Sequence, residues 1–307
     1  MPPAVSVIVP ARDAQATLAA LFDALDAQEP VDGGFEVLLV DDGSVDRTAA
    51  LARARGATVV RGPAAGPARA RNAGAAAAAA PILAFTDADC APAPGWLATG
   101  VRALRDADLV QGAVAPVPGV PVGPYDRTLV VRGEGLYESA NLLVRRELFE
   151  RLGGFESWLR PRRGLELGED VWFGWSARRA GARVRFCADA LVHHAVFPRG
   201  PRAFVAERAR LRLFPALVAR VPELRGVLLW RRLFLSGRSA RFDLAVLALA
   251  AGLWRRPALL GVLPYLRLVD SDRRLHGRGP AVVRVVADLV GCAALLAGSA
   301  RARTPVL

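Results

Sequence analysis

Residues 81–90 read PILAFTDADC. Ile82 to Phe85 is a short apolar run of the kind that makes a buried strand, and it stops at Thr86-Asp87-Ala88-Asp89. On extended backbone, residues two apart point to the same side, so Asp87 and Asp89 are expected side by side at the exposed end of that strand. Two carboxylates so placed repel each other unless a cation sits between them. Hard oxygen ligands at that spacing suit Mn²⁺ or Mg²⁺, ions that bring a substrate's phosphates with them. An isolated Asp-Ala-Asp is more often a solvated turn, so the reading depends on what surrounds it.

Upstream, residues 5–9 (VSVIV) are a β-branched run closed by Pro10, and residues 16–27 follow with Leu18, Leu21, Phe22 and Leu25 at helical spacing. Residues 35–40 (FEVLLV) predict a second strand that ends in Asp41-Asp42-Gly43-Ser44, with Ser44 or Asp46 placed to cap a helix over 47–55. Residues 57–61 predict a third strand, 62–66 a Pro/Gly turn, and 67–80 an alanine-rich helix carrying Arg69, Arg71 and Asn72. This alternation marks an α/β domain with a mostly parallel central sheet flanked by helices, its sites at the C-terminal ends of the strands. Downstream, the pattern predicts a helix over 96–105, a strand over 109–114 and a loop with four prolines over 116–124. A strand over 142–145 should lead into a helix over 146–152, stopped by Gly153-Gly154. An Arg/Gly-rich loop over 160–168, a helix over 169–179 with acids in its first turn, and short extended segments over 182–186 and 190–193 complete this part.

The charge divides the chain. Of its 307 residues, 53% are apolar and 23% charged, and all 41 basic residues are arginine, which with the many Ala, Gly and Pro reads as GC-rich coding. Residues 1–200 hold 22 Arg against 23 acids, whereas 201–307 hold 19 Arg against 6 acids, so the net +12 belongs to the last third. The expected division is a catalytic domain over 1–200 and a basic, apolar helical region over 201–307. In the latter, 202–220 and 226–235 alternate Arg with Leu, Phe and Val, and the apolar runs 242–254, 257–266 and 285–300 follow. Each is shorter than the roughly 20 residues of a spanning helix. Asp243 and Asp288 lie inside them, and Arg255-Arg256 splits the first pair. Amphipathic helices lying on an anionic membrane surface fit this pattern, with re-entrant or marginally spanning helices as the alternative. Basic charge interleaved with Leu, Val and Ala, and little aromatic stacking surface, argues against a nucleic acid partner. Cys90, Cys187 and Cys292 form no CxxC, so neither a zinc site nor a disulfide framework is expected. The first residues lack the basic lead-in and apolar length of a signal peptide, which places the front of the chain in the cytosol.

Four clusters carry polar chemistry: Asp41-Asp42, Arg71-Asn72, Asp87 with Asp89, and Glu169-Asp170 with His193-His194. Singly, each has an ordinary structural reading as a turn, a solvated helix face or helix N-terminal acids favoured by the dipole. Together they would hold a nucleotide diphosphate through a metal, leaving a later carboxylate to act as base and a neutral imidazole to complete the metal shell.

The segments VSVIVPARDAQATL, EVLLVDDGSVDRT, GPARARNAGAA, ILAFTDADC, ANLLVRRELFERLGGF and GEDVWFGWSARRAG…ADALVHH occur in that order over about residues 4–197. The set resembles family 2 of the glycosyltransferases, whose catalytic domain has the GT-A fold. The resemblance implies that Pro10 and Arg12 bound a nucleobase pocket through their backbone, that Asp41 takes the base, and that Arg71 lies beside the nucleotide. It implies Asp87 at the ribose and metal, Asp89 as principal metal ligand, His194 as the metal-side histidine and Asp170 as catalytic base. His193 occupies a place where an aromatic is usual.

The activity so implied is inverting, hexosyltransferase-type transfer from a nucleotide-diphosphate sugar to an acceptor hydroxyl, with Mn²⁺ or Mg²⁺. It would serve cell-envelope or lipid-linked glycan synthesis at the cytoplasmic side of a bacterial cell membrane, with a carbohydrate or lipid-linked acceptor. Two departures stand out: Asp13-Ala14 where the family often has Asn-Glu, and residues 112–139, which match nothing diagnostic and are where specificity is expected. A nucleotidyltransferase would need a glycine-rich basic loop after the first strand, and residues 10–17 contain no glycine. A catalytically inactive membrane-associated scaffold of the same fold would not need all of these carboxylates.

Overall fold

The computed structural model describes residues 2–159 and 167–307. They gather into two compact units, one reaching to Pro121 and including Thr128–Val196, the other made of Val122–Arg127 with Phe197–Leu307. Residues 160–166 of the expected Arg/Gly-rich loop lie outside the described residues.

The first unit is built on an eight-stranded sheet of order β3-β2-β1-β4-β7-β6-β8-β5. Its strands are β1 (Val5–Ala11), β2 (Phe35–Asp41), β3 (Thr58–Arg61), β4 (Ile82–Thr86), β5 (Cys90–Pro92), β6 (Leu109–Pro116), β7 (Asn141–Arg145) and β8 (Val184–His194). β3, β2, β1 and β4 run parallel, as does the β6–β8 pair; β7 pairs antiparallel with both β4 and β6, and β5 antiparallel with β8. The helices are α1 (Leu18–Asp26), α2 (Thr48–Ala54), α3 (Pro67–Ala77), α4 (Trp96–Ala103), α5 (Arg146–Arg151) and α6 (Glu169–Arg179).

β1 lies between β2 and β4 and is buried at every position except Pro10, which explains an apolar run broken only by Ser6, whose hydroxyl donates to Glu36. Ala11 O accepts from Asp42 N, so the Pro10 backbone faces the β4 side, where pairing has already ended at Ile8. The missing N–H of proline therefore leaves no ladder bond unmade. Val5, Val7 and Val9 pack on one face with Leu18, Phe22 and Trp96, while Ile8 packs on the other with Val40, Phe85 and Phe149. α3 comes unusually close to that second face. A Cβ on Gly74 would stand 2.6 Å from Ile8 Cγ2 and 2.8 Å from Val40 Cγ2, so glycine there sets how deep the helix sits.

Three features differ from the sequence reading. The two extended segments after α6 are one strand, β8, whose pairing with β6 shifts register between Gly112 and Ala113. The shift is braced from within: Asn141 Nδ2 donates to Ala113 O and Ala190 O (both 2.7 Å), and its Oδ1 accepts from Trp96 Nε1 at 2.8 Å. The short strand β5 was not expected at all; it exists because β8 is long enough to pair with it. Asp87 and Asp89 are consequently not on extended backbone but in the turn between β4 and β5.

The second unit is helical, with α7 (Pro201–Arg208), α8 (Phe214–Arg220), α9 (Leu224–Val227), α10 (Gly237–Gly252), α11 (Leu263–His276) and α12 (Arg278–Ala302), and 3-10 turns at Ala209–Leu213 and Arg256–Val262. Residues 226–235 do not form the expected amphipathic helix. Past α9 the chain turns through Arg231 and Arg232 at positive φ, and Trp230 bridges to Phe234. α12 extends well beyond its apolar run to 25 residues, about 37 Å long. It presses on Ala209–Leu213 through Gly291 and Gly298, two turns apart. Among the described residues it is the one helix long and apolar enough to cross a membrane by length and composition.

A Cβ at Gly112 would overlap the Asn141 side chain and the Ala190 carbonyl. Gly112→Ala is therefore expected to lower stability by about 1–3 kcal/mol, read by urea unfolding of the whole chain.

Candidate active site

The loops after β1 and β2 are stitched together by side chains. Asp13 Oδ1 accepts from Val45 N at 2.9 Å, Thr48 Oγ1 from Ala14 N at 2.8 Å, and Asp46 Oδ2 from Gln15 N at 3.1 Å. Asp41 and Asp42 then divide the work at the end of β2. Asp42 is buried and accepts from Gly66 N (2.8 Å) and Ala65 N (3.2 Å), which ties down the turn before α3. Asp41 instead lines an open cavity of ≈ 560 Å³ with Gly43, Ser44, Arg53, Val59, Arg61 and Gly62–Ala64. Pro10 is half-buried within β1, and the Arg12 side chain is 63% exposed beside Asp13; neither is among the residues lining that cavity.

Arg71, on the buried face of α3, is 4% exposed. Its Nη2 donates to Asp87 Oδ1 at 2.5 Å, and its Nη1 stands 3.7 Å from Glu169 Oε1 at the start of α6. Burial works against its charge, but Asp87 and Glu169 outweigh burial and hold the guanidinium above its ordinary range. Next door on α3, Asn72 clamps Phe155 through both of its backbone groups, Nδ2 to O at 2.8 Å and N to Oδ1 at 2.9 Å. This seats Phe155 among Phe85, Phe149 and Phe173 behind the arginine.

The other aspartate of the pair goes elsewhere. β5 pairs Cys90 with His194, and Ala195 N donates to Asp89 O at 2.9 Å, so the register of two strands sets His194 against Asp89. His194 Nε2 lies 3.6 Å from Asp89 Oδ2. Its Nδ1 contacts Ala195 O at 2.7 Å; a carbonyl only accepts, so Nδ1 carries a proton there and Nε2 is the nitrogen turned toward the carboxylate. His193, one residue back, pairs with Ala91 and Ala115 instead. Among the described residues no three His, Cys, Asp or Glu side chains stand close enough to form a metal cage on their own. Cys90 is buried, and burial followed by Asp87 and Asp89 pushes its thiol well up, so it is inert.

Asp170 follows Glu169 in the first turn of α6. Ser139 N approaches its Oδ2 at 3.4 Å and Val171 N its Oδ1 at 2.8 Å. Burial first, then Glu169 and Glu138, push its carboxyl well above the usual range, against the pull of the Val171 amide and Arg71. Glu138 is the member that sequence reasoning missed. It sits in the loop before β7, its Oε2 is buried with no hydrogen-bond partner, and burial pushes it up to about 7. That loop is held on α6 by Tyr137, buried above Gly174, and by Trp175 Nε1 donating to Gly135 O at 2.9 Å. Its one sequence signal is an acid two residues after a glycine-flanked apolar position, which is too common to single out.

The arrangement therefore brings Arg71, Asp87, Glu169 and Asp170 into one linked group, sets Asp89 against His194, and leaves Asp41 at a separate cavity on the edge of the same strand ends. A family model described as Glycosyl transferase family 2 matches residues 6–157. Glycosyltransferase AglE of Haloferax volcanii is 30% identical over 215 residues, which cover 64% of this chain and 69% of that protein. The chain belongs to glycosyltransferase family 2. An uncharacterized glycosyltransferase of Mycobacterium tuberculosis is 39% identical over 118 residues, 38% of this chain and 51% of that one, so the match spans about half of that relative. The mannosyltransferase PcManGT of Pyrobaculum calidifontis, solved with GDP-Man and Mn²⁺, has a similar fold, with a TM-score of 0.63 over 99% of this chain and 88% of that chain at 22% identity. The transferase thus has the α/β architecture of its family, and the loop bearing Glu138 lies in the stretch where no family motif was found.

Because Glu138 binds its proton more tightly folded than unfolded, it stabilises the transferase most below its ordinary pKa of 4.5, and that stabilisation is lost as pH rises through about 7. Glu138→Gln is expected to have a higher Tm than the native chain at pH 8 and a near-equal Tm at pH 4. Parallel thermal melts at the two values check this.

Proposed function

We propose that this glycosyltransferase uses a nucleotide-diphosphate sugar, a divalent cation and an inverting displacement to place a sugar on an acceptor hydroxyl. The observation that carries the reading is the position of Arg71. One buried guanidinium joins Asp87, on the donor side, to Glu169, adjacent to the candidate base Asp170. Donor-side and acceptor-side carboxylates therefore belong to one site.

A cation fits the residues present. His194 Nε2 and the Asp89 carboxylate face each other at 3.6 Å, and imidazole nitrogen and carboxylate oxygen are both ligand types for such an ion. The His194 N–H held by a backbone carbonyl is the usual outer-shell support of a metal-binding imidazole. Asp89 and His194 would hold Mn²⁺ or Mg²⁺ against the donor's diphosphate, and Asp87 would join them once the donor is bound, since among the described residues the three do not already form such a group. When bound, the ion supplies charge neutralisation to the nucleoside diphosphate as it leaves. Arg71 has two nitrogens, Nε and Nη1, without a hydrogen-bond acceptor, so it can add to the positive field around the diphosphate. Asp41, at its cavity, can accept an N–H from the nucleobase, with the backbone of Pro10 and Arg12 bounding the neighbouring loop, and Asp87, in the turn after β4, would meet the ribose.

Asp170 takes the proton from the acceptor hydroxyl while that oxygen attacks the anomeric carbon from the face opposite the diphosphate. Burial and the neighbouring Glu169 and Glu138 raise its proton affinity, which makes the carboxylate a stronger base. A single displacement inverts the anomeric configuration and calls for no covalent intermediate on the protein. The basic, apolar second unit supports a further expectation: the acceptor is a cell-envelope or lipid-linked glycan met at the cytoplasmic side of a bacterial membrane, where the chain rests peripherally or shallowly embedded. The division into a catalytic domain over 1–200 and a membrane-associated region over 201–307 is part of the same proposal.

Asp170→Asn is expected to lower turnover by about 10²–10⁴-fold and to leave nucleoside diphosphate binding intact, measured by product release and calorimetry. Loss of donor binding would assign Asp170 a structural role instead. Asp89→Ala is expected to remove the Mn²⁺-dependent part of donor binding; affinity that is the same with and without Mn²⁺ in the native chain would reject the metal assignment.

A further inference from the structure

A helical unit dissolved in water turns its charges outward and its aliphatic side chains inward. Residues 237–302 depart from this on two surfaces. On α12, Val282, Val286, Leu289 and Leu296 are 63%, 44%, 59% and 51% exposed and recur at helical spacing along one face. Two charges of the same helix, Arg284 and Asp288, point into the unit, while Arg278 and Arg301 at its ends are exposed. Arg284 donates to Asp272 of α11 at 2.9 Å, and Asp288 accepts from Arg238 of α10 at 2.8 Å and from the Tyr265 hydroxyl at 2.7 Å. Arg238 also reaches Asp272 at 2.7 Å, and Asp272 is 5% exposed. Three helices are thus joined through an interior network of matched ions.

The second apolar surface is a hairpin. α10 and the 3-10 turn Arg256–Val262 fold back on each other where Gly252 meets Leu259 and Gly261 meets Ala248. Its outer face carries Leu247 at 68%, Leu253 at 80%, Trp254 at 82% and Leu260 at 68% exposure. Between residues 244 and 266 the sequence has two charged residues, Arg255 and Arg256, and both are exposed at the tip of this hairpin.

We propose that the α10 hairpin and the outer face of α12 are the membrane-docking surface of the protein. The partner is the interfacial layer of an anionic bilayer, with Leu253 and Trp254 entering the acyl boundary while Arg255 and Arg256 reach back to lipid phosphates. The inference rests on the membrane association proposed above and names the residues that carry it. Charge selects the partner: residues 201–307 hold 19 Arg against 6 acids, which attracts anionic headgroups and repels a second copy of the same surface. Length selects the depth. The apolar part of the hairpin, residues 242–254, reaches about 20 Å as a helix, short of the roughly 30 Å hydrocarbon core. Driven in end-on, it would carry Arg255 and Arg256 into hydrocarbon at a cost of several kcal/mol. α12 is long enough to span, but Arg284 and Asp288 tie it to α11 and α10, which would have to enter with it. Lying in the interface satisfies the exposed leucines, the tip arginines and the interior network together.

The test is sedimentation of the full-length protein with phosphatidylcholine vesicles, with and without phosphatidylglycerol. Circular dichroism and nucleoside diphosphate release in vesicle-free buffer confirm that each variant is folded and active. The native chain is expected to pellet with the anionic vesicles and to be released by alkaline carbonate. The double variant Leu253→Ser/Trp254→Ser should bind them about tenfold or more weakly, equivalent to about 1.4 kcal/mol, and Arg255→Gln/Arg256→Gln should lose the preference for phosphatidylglycerol. Native binding with no loss in the double variant would keep the membrane association and overturn this surface. Retention after carbonate would overturn the interfacial placement in favour of a spanning α12. A native chain that ignores both vesicles and runs as a dimer on sedimentation velocity would overturn the membrane association itself and leave the transferase assignment untouched.

Discussion

A guanidinium almost cut off from water, held between two carboxylates, is what the catalytic unit is arranged to support. Arg71 reaches that place because α3 lies tight against β1 and β2, which the absent side chain of Gly74 permits. Asp42 fixes the turn from which α3 starts, and the Asn72–Phe155 clamp closes the apolar wall behind the guanidinium. Burying a charge costs several kcal/mol unless partners match it, and removing one member of such a group typically costs about 3–5 kcal/mol. The arrangement is therefore poor value as a source of stability alone. Its consequence is positional: the turn carrying Asp87 and the helix start carrying Asp170 cannot drift apart while Arg71 needs both neighbours.

The same rule, applied to the other unit, gives the opposite surface. There too the buried charges are paired, through Arg238, Asp272, Arg284 and Asp288, but many aliphatic side chains of α10 and α12 face outward. In the first unit Val, Leu and Phe on both faces of a sheet supply the burial that stabilises folding, and charges enter the interior chiefly at the site. In the second, a network of ions ties together α10, α11 and α12, and leucines and valines of α10 and α12 face outward. One chain thus uses two solutions to the cost of desolvating charge, and the boundary between them coincides with the change in net charge along the sequence.

Much of this was legible in the residues. β1, β2 and β4 are apolar runs closed by polar turn residues, and α6 begins on two acids, so the strand ends that carry Asp41 and Asp87 and the helix start that carries Asp170 could be located from local pattern alone. Features set by non-local pairing could not. A three-residue strand such as β5 has no periodicity of its own; its partner β8 creates it, and with it the turn conformation of Asp87 and Asp89 and the choice of His194 over His193. Glu138 gave no motif because its place beside Asp170 depends on Tyr137 packing over Gly174, a contact between residues 37 positions apart. In the second unit, residues 226–235 have the right composition for an amphipathic helix, yet Trp230 and Phe234 pack on each other and turn the chain. α12 outruns its apolar stretch chiefly at its start, where Pro280 is tolerated in the first turn and the following Ala-Val-Val-Arg carries the helix into the apolar run.

The central claim is that Asp89 and His194 form half of a cation site whose other half arrives with the nucleotide. Electron paramagnetic resonance of Mn²⁺ titrated into the protein, with and without a nucleoside diphosphate, addresses it directly. The account predicts weak Mn²⁺ binding to the protein alone and clearly tighter binding when GDP or UDP is present, with most of that gain lost in His194→Ala. Mn²⁺ affinity unchanged by both nucleotides, or a gain that survives His194→Ala in full, would contradict it.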